Sequence, residues 1–303
     1  MTLFDTLKLV HVLAAIVWLG GALITQAYVL RLKSAEPGHR LGFARDLVFV
    51  GQRVYAPAAA VSLVFGVWMV LDAEAFEFSQ AWILIGLIGL FAAIGIATGF
   101  IIPQTKKAIG MMESGNGPAA GAIIRTVGMA SRLATVVLLV TLWAMVFKPG
   151  LDTGNGVLFG TLLTVHIAAV MVWFGGGVVS RVFFQRIRRA DLAHKIGFAA
   201  DIEKIGPIFG AASMIAAIAG VWMVIDRPDF AFGQAWVIIG IVGLVLSSAI
   251  GGGLLTPVER KLHTELTAGG DGAAPVRRLN LLLSIDHTIL VIVVWAMVVR
   301  PGA

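Results

Sequence analysis

Long apolar runs alternate with short polar stretches along this chain, and the runs set its architecture. Eight of them reach the roughly 20 mostly apolar residues that a bilayer core requires. They are 5–29, 53–72, 81–103, 126–147, 157–181, 206–225, 235–257 and 279–299. A backbone in lipid must satisfy its own hydrogen bonds, and these runs are too long and too continuously apolar for barrel strands. The pattern therefore predicts an all-α polytopic membrane protein with eight transmembrane helices. Pro103 and Pro257 are expected to end spans 3 and 7, since a proline lacks the N–H that continues a helix.

The chain then repeats itself. GVWMVLDAEAFEFSQAWILIGLIG (66–89) matches GVWMVIDRPDFAFGQAWVIIGIVG (220–243), and WAMVFKPG (143–150) matches WAMVVRPG (295–302). All eight tryptophans pair across the halves, Trp18 with Trp173, Trp68 with Trp222, Trp82 with Trp236 and Trp143 with Trp295. The implied units are residues 1–152 and 153–303, with a boundary near 150–156. Each has an even number of spans, so the two four-helix bundles share one orientation. Three tryptophan pairs fall at the outer ends of spans and read as an interfacial belt. Trp18 and Trp173 lie deeper.

Charge fixes the expected orientation. Loops after spans 1, 3, 5 and 7 hold Arg31, Lys33, Arg40, Arg45, Lys106, Lys107, Arg186, Arg188, Arg189, Lys195, Arg260 and Lys261. The opposite side holds Lys8, Lys148, Arg227 and Arg300 beside Asp5, Asp72, Glu74, Glu77, Asp152, Asp226 and Asp229. Basic loops face the cytoplasm, so both termini face outward, in a bacterial inner membrane. Only 13% of residues are charged, against about 25% in soluble domains. The net charge of +6 follows from the loops and carries no nucleic-acid signal. The first apolar run is too long for a cleaved leader and reads as a retained helix. Cysteine is absent, which excludes thiolate-held metals and covalently attached haem.

Candidate chemistry sits within the apolar runs. HVLAAIVWLGG (11–21) and HIAAVMVWFGG (166–176) place His11 with Trp18, and His166 with Trp173, on one helix face among small residues. Small residues admit another helix or a flat ligand. Each imidazole requires a partner in hydrocarbon. A serine, threonine or backbone carbonyl would serve; so would iron, since imidazole is a common axial ligand of b-type haem. Span 8 adds Asp286 and His287 where the first half has Ala134 and Thr135, and Arg132 aligns with Ser284. His287 lies deeper than the other two and is the alternative ligand, opposite His166. Asp286 and Arg132 are candidates for a proton or ion path or for a buried ion pair, because ionisable groups in a membrane mark function by default. Asp286 also reads as a helix-start residue near the headgroups. Arg53, Arg125, Arg277 and Arg278 read as snorkelling anchors. His39, His194 and His263 fall in loops and are expected to be solvated. No nucleotide-binding, hydrolase or metalloprotease motif is present, and the methionines form no copper-binding cluster.

The H-x6-W-x-G-G arrangement, the four-span count and the proline closing the third span resemble a bacterial superfamily of four-span membrane proteins that includes CopD-like and HemJ-like members. The resemblance covers both halves and is closest to a group of predicted integral membrane proteins. It implies b-type haem held by His11 and His166. It also implies an association with copper uptake among CopD-like members. A companion lysine motif in the later spans is missing, so porphyrin oxidation is not implied. The expectation is a haem-binding inner-membrane protein that passes electrons to or from a quinone or periplasmic partner. A permease for copper or another small solute, or an accessory subunit of a larger complex or homo-oligomer, is the alternative.

Overall fold

The computed structural model describes residues 1–151 and 156–302, and of Lys33 the backbone alone. Eight helices are long and apolar enough to cross a membrane: α1 Leu3–Arg31, α2 Pro37–Asp72, α3 Ala81–Glu113, α4 Gly117–Phe147, α5 Val157–Ile187, α6 Leu192–Asp226, α7 Ala235–Thr267 and α8 Ala273–Val299. There is no strand among the described residues. The fold is all-α, with α1–α4 and α5–α8 forming two four-helix bundles in the same orientation. The expected half boundary falls on residues 152–155, which with Asp152 and the Lys33 side chain lie outside the described residues.

The helices run 27 to 36 residues. At 1.5 Å per residue they are about 40–54 Å long, against an apolar bilayer core of about 30 Å. The surplus collects at the end carrying the basic loops. There α2 starts at Pro37 although its apolar run starts at 53, and α6 starts at Leu192 although its run starts at 206.

Pro103 and Pro257 do not end their helices. α3 continues to Glu113 and α7 to Thr267. A π-helical turn precedes each proline, at Ala97–Ile101 and Ile250–Leu255, and another at Gly51–Tyr55 precedes Pro57. Each wide turn contains the residue four positions before the proline, whose carbonyl the ring would otherwise strike. The helix thus passes the proline by changing its winding.

Two further π-turns, Ile16–Gly20 and Met171–Gly175, lie where α1 and α5 cross at the centre of the molecule. A Cβ on Gly20 would collide with the carbonyl oxygen of Met171, and one on Gly175 with the carbonyl oxygen of Ile16. The contact is reciprocal, and each pair of equivalent residues is 155 positions apart. The small residues beside Trp18 and Trp173 therefore serve helix-to-helix approach.

Beyond the apolar layer, at the basic end, Tyr28, Phe43, Phe183, Phe184 and Phe198 form a fully buried knot drawn from α1, α2, α5 and α6. Tyr28 stacks on Phe198 at 5.5 Å and 12°. This knot joins the two bundles much as a soluble core would, and it frames the polar cluster described next.

Candidate functional site

His39 and His194 lie inside this knot, 2% and 3% exposed, so neither is the solvated loop residue that its position in the sequence suggested. Their Nδ1 atoms are 2.8 Å apart. The Nε2–H of His39 donates to Asp201 Oδ2 at 3.0 Å, and that of His194 donates to Asp46 Oδ2 at 3.0 Å. Arg31 Nε donates to the other oxygen of Asp201 at 3.3 Å, and Arg186 Nε donates to the other oxygen of Asp46. The result is one chain of bonds, Arg31–Asp201–His39–His194–Asp46–Arg186, in which each half supplies alternate parts. Every member finds a partner, as buried polar networks require.

Local sequence builds this. The seven-residue step from His39 to Asp46, or His194 to Asp201, is two helical turns and puts both groups on one face. Gly42 lies against the ring of His194 and Gly197 against that of His39, so a side chain at either place would strike an imidazole. Counting along α2 from Asp72 puts His39 about 50 Å from the opposite end of that helix, well past a hydrocarbon layer of about 30 Å. Both Nε2 atoms face carboxylates, and a hydrogen bond bridges the two Nδ1 atoms. The third histidine expected in a loop, His263, is half-buried and bonds Glu203 through Nδ1 at 3.0 Å.

The deeper histidines behave differently. His11 Nδ1–H donates to the Ser62 carbonyl at 2.7 Å, and His166 Nδ1–H donates to the Ala216 carbonyl at 2.8 Å. Gly66 and Gly220 sit against the two rings. Each imidazole is tied to the second helix of its own bundle, and among the described residues Nε2 has no hydrogen-bond partner in either. His166 and Trp173 share a cavity of 240 Å³ with Phe159, Trp236 and Arg300. His11 and Trp18 are not brought together in this way: Trp18 lines a separate cavity of 1070 Å³ inside α1–α4, which His11 does not reach.

His287 lies against Gly177 and Phe174. Gly177 is eleven residues beyond His166 on α5, about 16 Å along the axis, so His287 and His166 cannot take opposite sides of one iron. Asp286 is buried and accepts from Ser247 Oγ. Arg132 lines the large cavity in the other bundle, while Asp286 bonds Ser247. Its aligned counterpart, Ser284, accepts from Arg181 at 2.7 Å. Among the described residues no group of three or more His, Asp or Glu side chains is arranged to hold a metal ion.

At the end opposite the basic loops, Trp82 and Trp236 are buried rather than set in a lipid-facing belt. Lys148 lies 5.1 Å from the Trp82 ring centroid and Arg300 5.4 Å from that of Trp236. Burial pushes both cations below their ordinary values, with the neighbouring Lys8 adding to the effect at Lys148. Trp68, Trp222 and Trp143 are exposed, as a belt requires.

Residues 5–149 match the model of a family described as a predicted integral membrane protein (DUF2269). The match spans the first four helices and supports membership of a membrane-protein family; the description names no activity. No curated protein and no solved structure matches the chain.

The buried network is what the reading of the sequence missed. The signal was present: Arg31, His39 and Asp46 recur as Arg186, His194 and Asp201 at a constant offset of 155, in segments where Arg45 is not kept in charge. Hydropathy hid it, because these residues fall outside the apolar runs.

Proposed function

We propose that this integral membrane protein consists of two tandem four-span repeats, 1–152 and 153–303, with its basic end in the cytoplasm of a bacterium. Its outer half holds b-type haem through Nε2 of His166 and of His11, one site per repeat, and it serves electron transfer. The observation that carries this reading is the matched pair of Nδ1–H bonds to backbone carbonyls. A second hydrogen bond of this kind fixes the tautomer whose free Nε2 ligates metal. As donors, the residues present fit an axial ligand.

When bound, haem would supply one-electron exchange with a quinone or a periplasmic partner. The chain's own part is orientation and exclusion of water. The Ala216 carbonyl holds the His166 ring, Gly220 lets that ring pack close against α6, and Trp173 and Trp236 wall the recess. Arg300 supplies a positive charge at its outer rim. The recess of 240 Å³ lies below the roughly 300–1,000 Å³ of drug-sized sites, so a macrocycle enters by moving its walls.

The test is the absorption spectrum of full-length protein purified from haem-replete cells. A Soret band that weakens by about half in His166→Ala and disappears when His11→Ala is added supports the reading. A colourless wild-type protein overturns it.

A further inference from the structure

The two bundles are not packed alike. Inside α1–α4 is a cavity of 1070 Å³, lined mostly by apolar side chains, that runs from Trp18 and Leu138 towards the basic end. The corresponding space in the other bundle is packed: Leu279 and Leu283, aligned with Val127 and Ser131, are buried in the core there. Protein interiors are close-packed, and a void of this size does not stay empty.

Three guanidinium groups line it, those of Arg40, Arg125 and Arg132, and the last two sit on α4. Arg132 lies about 22 Å from the outer end of α4 and Arg125 about 33 Å, by helical rise from Phe147. Both side chains are exposed while lining the cavity, so it opens to the outside along α4. Neither has a hydrogen-bond or ion-pair partner among the described residues. An unpaired cation within or just beyond the apolar layer calls for an anion. The occupant must therefore be apolar along most of its length and negatively charged at the basic end.

We infer that the cavity of α1–α4 binds one anionic phospholipid from the leaflet at the basic end. Its acyl chain fills the space between Trp18, Ala59 and Leu138, and its phosphate pairs with Arg132 and Arg125. Paired guanidinium–phosphate contacts give the selectivity for charge. This stands apart from the haem reading, which concerns the outer recess and His166.

The test is native mass spectrometry of the full chain in mild detergent, with phosphatidylglycerol and phosphatidylcholine offered in turn. One phosphatidylglycerol is expected to be retained in preference. Each basic residue near an anionic surface contributes roughly fivefold, so Arg125→Gln with Arg132→Gln lowers retention about 30-fold. Arg277→Gln, at the aligned place in α8, leaves retention unchanged. Gly128→Leu provides an independent check, since a side chain at this cavity-lining position meets nothing within 4 Å and would occupy the chain's space. It is expected to exclude the lipid without unfolding the protein. Equal retention of both lipids by wild type, or undiminished phosphatidylglycerol retention in a folded Arg125→Gln/Arg132→Gln or Gly128→Leu protein, overturns the inference.

Discussion

His39 and His194, from opposite bundles, hold each other through a 2.8 Å contact between their Nδ1 atoms, with an aspartate behind each ring supplied by the partner helix. The two halves are thus linked by a polar bond at the basic end and by a glycine crossing in the membrane. The polar link is buried, so its members depend on one another. His39→Ala strips Asp201 of one partner and breaks the bridge to His194. Breaking a buried pair in this way costs about 3–5 kcal/mol, and His194→Ala should cost the same. Thermal unfolding in detergent measures both. The double variant should cost far less than the sum, because the shared bond is lost once.

Hydropathy alone located all eight helices, because membrane burial writes itself directly into composition. Helix ends at the basic side were hidden. There the helices leave lipid, and Phe43, Phe198 and their neighbours bury against another helix, so the sequence reads as polar loop with scattered aromatics. Pro103 and Pro257 misled for a related reason: proline stops a regular helix, and no local signal announces the π-turn that carries the chain past it. For the candidate site, the sequence marked His11 and His166 as groups needing partners. It left open whether the partner was a carbonyl or iron, and the carbonyls of Ser62 and Ala216 occupy one nitrogen of each ring. The Arg–Asp–His network left only its recurrence along the chain as a trace, because its bonds join residues 140 to 170 positions apart.

The crossing of α1 and α5 sets a steric test. Gly20→Ala places a methyl group on the Met171 carbonyl, and backbone cannot swing away as a side chain can. Overpacking of this kind costs about 1–3 kcal/mol. Gly175→Ala should match it by reciprocity. Gly99→Ala, where a Cβ meets nothing within 4 Å, should be neutral or slightly stabilising. Melting temperatures of the three variants in one detergent decide the matter.

Asp286 offers a test of buried polar satisfaction. Ser247 is its hydrogen-bond donor, and both residues are buried. Ser247→Ala leaves the carboxyl group without that donor and costs about 1–3 kcal/mol. Asp286→Leu in the same background removes the unsatisfied group and should recover part of the loss. Failure of any recovery in the double variant would mean that Asp286 has a role beyond its bond to Ser247.

Orientation can be read with cysteine chemistry, and the native absence of cysteine makes the experiment clean. Ser79 lies in the exposed connection between α2 and α3, at the end where the termini lie. Ser114 lies in the exposed turn between α3 and α4, at the basic end. With the basic loops held in the cytoplasm, Ser79→Cys should react with a membrane-impermeant maleimide in intact spheroplasts. Ser114→Cys should react only after permeabilisation. Because the helix between them is a single span, labelling of both from the same side would break the eight-span topology, and reversed labelling would place the His39–His194 bridge on the outside. The second half supplies its own control. Asp229→Cys, in the matching outer connection between α6 and α7, should label with Ser79→Cys if the two bundles point the same way.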